Sequence, residues 1–137
     1  MKKIYFCGSI RGGRADAAYY RTMVDRLKLY GDVLTEHVAD QNLTAQGGDG
    51  TNEFIYQRDT NWLHECDVLV AECTTPSLGV GYELAYGEAL GKPVHVFFRT
   101  EFNSRRLSAL VAGNPGFDVQ EYFSEQDLIE KIDALFQ

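Results

Sequence analysis

Two acidic residues, Asp59 and Glu83, are the candidates for catalysis. Glu83 falls about one turn into a predicted helix, where the positive end of the helix dipole favours an ionised carboxylate and hence a nucleophile. Asp59 lies within another predicted helix, although Asp has a poor propensity for helix interiors. Cleavage of a glycosidic bond requires such a pair of carboxyl groups, one ionised and one protonated. Structural roles are the alternative, because acidic residues often compensate a helix dipole and a helical Asp is usually solvated.

Three further residues could lie near this pair of carboxyl groups: Tyr5, His37 and Arg58. Tyr5 lies in the first predicted strand, where a buried hydroxyl needs a hydrogen-bond partner. The usual role of such a tyrosine is structural: its ring fills the core and its hydroxyl bonds to the backbone. His37 follows the second predicted strand and is the one histidine near the expected crevice; the three histidines are too dispersed to predict a metal site. Arg58 is not expected to face Asp59, because side chains at i and i+1 diverge on a helix.

A glycine-rich segment, residues 8–14 (GSIRGGR), is a candidate anion site. It connects a predicted strand to a predicted helix, where backbone N–H groups and the helix N-terminus can bind phosphate. Its spacing matches neither the GxGxxG dinucleotide fingerprint nor a P-loop. A plain glycine-rich turn is the alternative, but Arg11 and Arg14 in an acidic chain favour phosphate. Ser77 and the backbone N–H groups at Leu78 and Gly79 offer a second anionic contact.

Strands alternate with helices along the chain. Apolar runs predict five strands, at residues 3–7, 32–35, 67–72, 94–98 and 117–120. Helical spacing predicts helices at residues 15–29, 53–65, 79–90 and 125–136, and a short one within residues 99–112. Strands that are almost continuously apolar are typical of a parallel sheet covered on both faces. We therefore expect an α/β fold, a flavodoxin-like or Rossmann-like doubly wound sheet of order 2-1-3-4-5. Its ligand site would lie where residues 8–14 meet residues 73–79.

Composition limits the class of partner. The 137 residues predict one domain over residues 1–137, and 45% hydrophobic and 24% charged residues are ordinary globular values. Thirteen basic and twenty acidic residues give a net charge of -7, which argues against a nucleic-acid partner. No apolar run is long enough for a bilayer, and three scattered cysteines indicate a reducing compartment. We expect a soluble cytoplasmic protein, or a nuclear one in a eukaryote, without a membrane partner.

Four motifs together resemble a known family. They are YFCGSIRGGR at residues 5–14, LTEHV at 34–38, QRDTNWL at 57–63 and PSLGVGYELAYGEALGKP at 76–93. These motifs resemble the 2'-deoxynucleoside 5'-monophosphate N-glycosidases of the nucleoside 2-deoxyribosyltransferase superfamily, over nearly the whole chain. The resemblance implies hydrolysis of a deoxynucleoside monophosphate to the free base and 2-deoxyribose 5-phosphate, with no cofactor and no metal. It makes Glu83 the nucleophile that forms a glycosyl-enzyme ester, Asp59 the acid that protonates the departing base, and Tyr5 a tyrosine beside the nucleophile.

The resemblance also implies a substrate pocket and a homodimer. The expected phosphate and sugar contacts are Gly8, Ser9, Ile10, Arg11, Gly12, Gly13, Ser77, Gly79 and, from the partner subunit, Ser108. Arg105 and Arg106 precede that serine, and the apolar residues around Leu110 suit either a two-fold interface or packing on the chain's own sheet. The resemblance is weakest at residues 39–51 and 99–106, so base preference stays open.

Two other classes of function remain. A deoxyribosyltransferase would use the same carboxylates, pass the sugar to a second base and accept nucleosides without phosphate, which the loop at residues 8–14 argues against. A non-catalytic nucleotide-binding protein would keep the glycine-rich loops but would have no use for the pair Asp59 and Glu83.

Overall fold

The computed structural model describes residues 1–40, 50–100 and 107–137, which form a five-stranded sheet with helices on both faces. The strands are β1 (Lys2–Cys7), β2 (Gly31–Val33), β3 (Val68–Glu72), β4 (Val94–Arg99) and β5 (Asp118–Tyr122). The helices are α1 (Ala17–Leu27), α2 (Asn52–Glu65), α3 (Leu78–Ala89), α4 (Ala109–Ala112) and α5 (Glu125–Leu135), with a 3-10 helix at Glu36–Ala39. All paired strands are parallel and their order is β2-β1-β3-β4-β5, which confirms the predicted topology. Arg105, Arg106 and most of the two loops where the resemblance is weakest lie outside the described residues.

Alternate residues of β1 face opposite helical layers, because successive side chains of a strand point to opposite faces of the sheet. Ile4 and Phe6 pack in the layer of α1 and α5, whereas Tyr5 and Cys7 pack in the layer of α2 and α3. Ile4, Tyr5 and Phe6 are completely buried. This alternation carries the Tyr5 side chain to the helices that bear Asp59 and Glu83.

The second strand is shorter than predicted, since it ends at Val33 instead of residue 35. The cause is Thr35, whose side chain takes the place of a backbone partner. Its Oγ1 accepts a hydrogen bond from the Phe6 N–H at 2.8 Å and donates to the Phe6 carbonyl at 2.7 Å. This contact holds the chain beside the carboxyl end of β1 and so directs His37, two residues later, toward the same end of the sheet.

The starts of α2 and α3 are set by side-chain caps. Helix α2 begins at Asn52, one residue before the predicted residue 53. Thr51 caps it, and the Thr51 side chain accepts from the Phe54 N–H at 3.1 Å. Ser77 caps α3 by accepting from the Val80 N–H at 3.3 Å. Both N-termini therefore have defined positions. No helix in the part of the chain that the structure describes is long and apolar enough to cross a membrane.

Candidate active site

The two predicted loops meet beyond the carboxyl ends of β1 and β3. A Cβ atom at Gly12 would lie only 2.7 Å from the Pro76 carbonyl oxygen and 3.3 Å from the Ser77 Cα, so a larger residue would push the loops apart. Gly13 has a φ of 125°, in the region that favours glycine. The glycine pair therefore serves the close approach of one loop to the other, as the sheet topology predicts.

The first loop has one buried hydroxyl without an internal partner. Ser9 is completely buried, and its N–H donates to the Tyr20 hydroxyl oxygen at 3.0 Å. Its Oγ has no hydrogen-bond partner among the described residues. Arg14 does not extend into solvent as a phosphate ligand would: its guanidinium donates to the backbone carbonyls of Ser9, at 3.1 Å, and Asp40, at 2.7 Å. Arg11 is exposed and donates to the Asn52 Oδ1 at 3.2 Å.

The remaining predicted contacts lie around these two loops. Gly8 is buried against the rings of Phe6 and Tyr20, and Ile10 packs against the α1 side of the core. The Ser77 oxygen accepts within α3, which leaves its O–H free to donate to a ligand. Gly79 lies one turn before Glu83 and is exposed, so a ligand can approach the start of α3 closely.

Glu83 and Tyr5 are in direct contact. Glu83 lies on α3 and is partly buried, and the Tyr5 hydroxyl donates a hydrogen bond to its Oε2. Burial raises the pKa of Tyr5, and the neighbouring Glu83 raises it further, so this hydroxyl remains protonated. The sequence-based expectation that Tyr5 lies beside Glu83 agrees with this contact.

Glu83 differs from its expected charge state. Burial, together with the Asp59 charge, raises the pKa of Glu83 to about 8, although the hydrogen bond from Tyr5 and the Arg58 charge oppose this shift. Desolvation thus opposes the ionised form that the position of Glu83 in the first turns of α3 favours. The Asp59 charge contributes to this shift, and Asp59 and Glu83 are here called the carboxyl pair. At neutral pH, Glu83 holds a proton in the ligand-free protein.

Asp59 is paired with its own neighbour. The Arg58 Nε donates to the Asp59 Oδ1 at 2.9 Å, so the expectation that the two side chains diverge was wrong. The long arginine side chain bends back along α2, where its guanidinium lies over the ring of Trp62 at 5.0 Å and that of Phe54 at 5.6 Å. The Nη2 atom of the same guanidinium is 3.3 Å from the His37 Nε2. Arg58 thus joins His37 to the carboxyl pair, and only its flexible stem made that contact unpredictable from helical spacing.

His37 is a half-buried, neutral group at this end of the sheet. Burial, with the Arg58 charge, lowers the pKa of His37, so the imidazole is unprotonated at neutral pH. Its ring lies 5.9 Å from that of Trp62. The structure therefore brings His37 to the site, as its position after the second strand suggested. In the described ranges, no group of three or more His, Cys, Asp or Glu residues could hold a metal ion.

Ser108 is exposed and precedes α4, a single helical turn. Of the neighbouring apolar residues, Leu107 and Val111 pack against the chain's own core, whereas Leu110 remains 88% exposed. Exposed aromatic and aliphatic side chains also occur on the layer of α2 and α3, at Phe54, Tyr56, Leu78 and Tyr82.

Sequence reasoning missed a buried polar cluster behind the loops. It consists of Asp16, Glu72, Thr74, Thr75, Arg99 and Tyr122. Glu72 and Arg99 are the last residues of β3 and β4, and Asp16 precedes α1. Charged residues at the carboxyl ends of apolar strands were the available signal, because those ends meet at one edge of a parallel sheet.

Comparisons with known proteins identify relatives. The sequence profile of the family described as "Nucleoside 2-deoxyribosyltransferase" matches residues 4–125. A Rattus norvegicus protein named 5-hydroxymethyl-dUMP N-hydrolase is 49% identical over 139 residues, covering 98% of this chain and 84% of the relative. A Mus musculus protein of the same name is 52% identical over 128 residues, covering 90% of this chain and 73% of the relative. Among solved structures, Clostridium botulinum CMP N-glycosidase, BcmB, has a TM-score of 0.70 at 15% identity, covering 96% of this chain and 99% of that one. That likeness shows a shared fold.

Proposed function

The chain belongs to the nucleoside 2-deoxyribosyltransferase family, and we propose that it hydrolyses the N-glycosidic bond of a 2'-deoxynucleoside 5'-monophosphate. The products are a free nucleobase and 2-deoxyribose 5-phosphate. Relatives that share about half of its residues over nearly its whole length are named as hydrolases of such a nucleotide. The single observation that carries the proposal is the hydrogen bond from Tyr5 to Glu83, a carboxyl group whose pKa is raised by burial and by the Asp59 charge.

The loops supply the elements of a 5'-phosphate pocket. The Ser9 Oγ is buried without a partner in the described part of the chain, Arg11 is the exposed cation of its loop, and the Ser77 O–H is free to donate. The close packing of Gly12 on Pro76 brings these groups together. An acidic chain of net charge -7 needs such local donors to bind an anion.

The first half of the reaction transfers the sugar to the enzyme. Glu83, as the carboxylate, attacks the anomeric carbon, and the electron pair of the breaking C–N bond passes to the base. Asp59 delivers a proton to that base, which leaves neutral. The missing 2'-hydroxyl helps, because no electron-withdrawing group then opposes positive charge at the anomeric carbon.

The second half releases the sugar. Asp59, now ionised, accepts a proton from a water molecule, whose oxygen attacks the anomeric carbon and expels the Glu83 carboxylate. Two displacements at one carbon retain its configuration, and retaining enzymes place their two carboxyl groups about 5 Å apart.

Glu83 must lose its proton before it can attack the anomeric carbon. In the ligand-free protein Glu83 holds a proton at neutral pH, whereas the reaction needs Glu83 ionised and Asp59 acting as the acid. The Arg58 Nε lies 2.9 Å from the Asp59 Oδ1, so the nucleobase of the substrate has to weaken this ion pair before Asp59 can bind it. The hydrogen bond from Tyr5 favours the ionised form of Glu83 and so favours the active arrangement.

The proposal includes a homodimer that completes the pocket. Ser108 lies on an exposed turn, and the neighbouring Leu110 is almost fully solvated in the single chain. An interface there would cover Leu110 and could deliver the Ser108 hydroxyl to the phosphate bound by the partner subunit. We place the protein in the cytoplasm, whose reducing conditions suit the three free thiols of the chain.

Product analysis tests the function. Purified protein is incubated with individual deoxynucleoside monophosphates, with and without a second nucleobase, and the products are separated by chromatography. The proposal predicts free base and 2-deoxyribose 5-phosphate in equal amounts, with Glu83→Gln inactive under the same conditions. A new nucleotide formed from the added base would make the protein a transferase, and substrate bound but unchanged would make it a binding protein.

A further inference from the structure

Asp16 connects the two loops through a buried carboxylate. It is 3% exposed and stands at the N-cap position of α1, but its side chain makes no capping hydrogen bond. Instead, its Oδ2 accepts from the Thr75 Oγ1 and its Oδ1 from the Arg99 Nη2, both at 2.6 Å. A helix cap of this residue type ordinarily accepts from its own helix. Asp16 therefore binds two other elements where a local partner was available.

The cation that holds Asp16 is itself fixed in place. Arg99 ends β4, is 6% exposed and lies with its guanidinium 4.2 Å from the ring centre of Tyr19. A second carboxylate, Glu72, lies 3.8 Å from the Arg99 Nη1. The Thr74 hydroxyl connects the same strands, because it donates to Glu72 at 2.8 Å and accepts from the Arg99 N–H at 2.9 Å. Arg99 thus cannot move without disturbing β3 and β4.

The ends of this connection lie next to the proposed phosphate ligands. Asp16 follows the first loop by two residues, and Thr75 precedes Pro76 and Ser77 in the second loop. Gly12 already packs against the Pro76 carbonyl, and Gly13 lies 3.9 Å from the Thr75 methyl group when a Cβ is added. A change in the Asp16–Thr75 distance would therefore change the separation of the two loops.

We propose that Asp16 is a positioning residue, which uses Thr75 and Arg99 to set the separation of the two loops for a 5'-phosphate. The inference rests on the proposed function. Hydrogen bonds to phosphate need donor distances close to 2.8 Å, so loops held at a fixed separation avoid rearrangement on binding. A buried ion pair is weak evidence for stability by itself, since desolvation offsets much of its attraction. Its contribution here is geometric: Arg99 anchors Asp16 to the sheet, and Asp16 anchors the second loop.

The test removes one hydroxyl. Thr75→Val keeps the side-chain shape but loses the donor to Asp16, whereas Thr75→Ser keeps the donor and serves as the matched control. In Thr75→Val, we expect the KM for the monophosphate and the dissociation constant of 2-deoxyribose 5-phosphate to rise about 10-fold, which corresponds to ~1.4 kcal/mol. The value of kcat and the dissociation constant of the deoxynucleoside without phosphate should change less than about 2-fold, because the phosphate is bound equally in the ground state and the transition state and the nucleoside lacks it. Thr75→Ser should restore phosphate affinity.

The outcomes distinguish a failure of the role of Asp16 from a failure of the proposed hydrolase function. Equal loss of affinity for ligands with and without phosphate, or identical behaviour of Thr75→Val and Thr75→Ser, would overturn the role of Asp16. If Thr75→Val is unfolded by circular dichroism, Asp16→Asn replaces it, because an amide cannot accept from both donors at full strength; the same phosphate-selective loss is then required. A wild-type protein that neither cleaves the monophosphate nor binds 2-deoxyribose 5-phosphate would instead overturn the proposed function.

Discussion

Replacement of Tyr5 by Phe tests how the proton of the carboxyl pair is controlled. In the wild type, the pKa of Glu83 is about 8, so the pair retains one proton up to that pH. The active form is therefore the minor one, in which Glu83 is ionised and Asp59 serves as the acid. Above about pH 8 no proton remains for the departing base. The value of kcat/KM should therefore fall on the alkaline side with a midpoint near 8.

The Tyr5→Phe change removes one hydrogen bond without opening the core. Tyr5 is completely buried, and its ring packs in the layer of α2 and α3, where Phe keeps the same volume. A hydrogen bond to a charged group contributes about 1.5–3 kcal/mol, and this one favours ionised Glu83. Its loss should raise the pKa of Glu83 by about 1–2 units. Glu83 is then ionised about 10- to 100-fold less often at neutral pH.

The assay measures kcat/KM for the monophosphate between about pH 6 and pH 10, and release of the free base is the signal that reports the rate. In Tyr5→Phe the neutral plateau should fall about 10- to 100-fold, and the alkaline midpoint should move upward by about 1–2 units. Tyr30→Phe is the matched control: the Tyr30 hydroxyl also donates to a carboxylate, Asp133, at 2.7 Å, but in the layer of α1 and α5. An unshifted midpoint in Tyr5→Phe, or wild-type activity that rises through pH 8, would refute the shared proton.

Three further predictions concern stability, substrate and assembly. Glu83→Gln should exceed the wild type in free energy of unfolding by ~2–4 kcal/mol at about pH 8, measured by urea denaturation. The pKa of Glu83 is about 8 in the folded state against an ordinary 4.5, so the free energy of unfolding of the wild type falls as pH rises between those two values. The variant has no such group, and the two proteins should therefore have the same free energy of unfolding below pH 4.5. Removal of the 5'-phosphate should lower kcat/KM by at least about 100-fold, because several charge-assisted hydrogen bonds are lost; equal rates with deoxyguanosine and its monophosphate would contradict the pocket. Leu110→Glu should yield a monomer of low activity in equilibrium sedimentation, whereas Ser108→Ala should remain dimeric and bind nucleotide more weakly. A wild type that is monomeric at every concentration and fully active would exclude a shared site.

The sheet was predictable because its signal is distributed over many residues. Apolar runs such as that of β3 fix strands buried on both faces, and alternation with helices leaves few topologies. The glycines and Pro76 then place the loops at one edge of the sheet. Errors at element ends, such as the start of α2 at Asn52 instead of residue 53, arise because neighbouring polar residues cap almost equally well and tertiary packing decides between them.

The charge states and ion pairs of the site residues were harder to predict from the sequence than the identity of those residues. A helix position indicates a dipole, but it does not reveal that Tyr5 and the sheet would bury Glu83 enough to raise its pKa. Helical spacing gives the direction of a Cβ atom, and the flexible stem of Arg58 overrides it to reach Asp59. The Asp16 contacts join residues that are 59 and 83 positions apart in sequence, and no local pattern encodes such a separation.

The most direct test of the account is to find the sugar on Glu83. Wild-type protein is mixed with saturating deoxynucleoside monophosphate, quenched in acid within milliseconds, digested and analysed by mass spectrometry. The account predicts a 2-deoxyribosyl 5-phosphate ester on the peptide that contains Glu83, formed and lost at rates that match turnover and absent from Glu83→Gln. Hydrolysis at the full rate with no ester at any time, or an ester on a different residue, would contradict it.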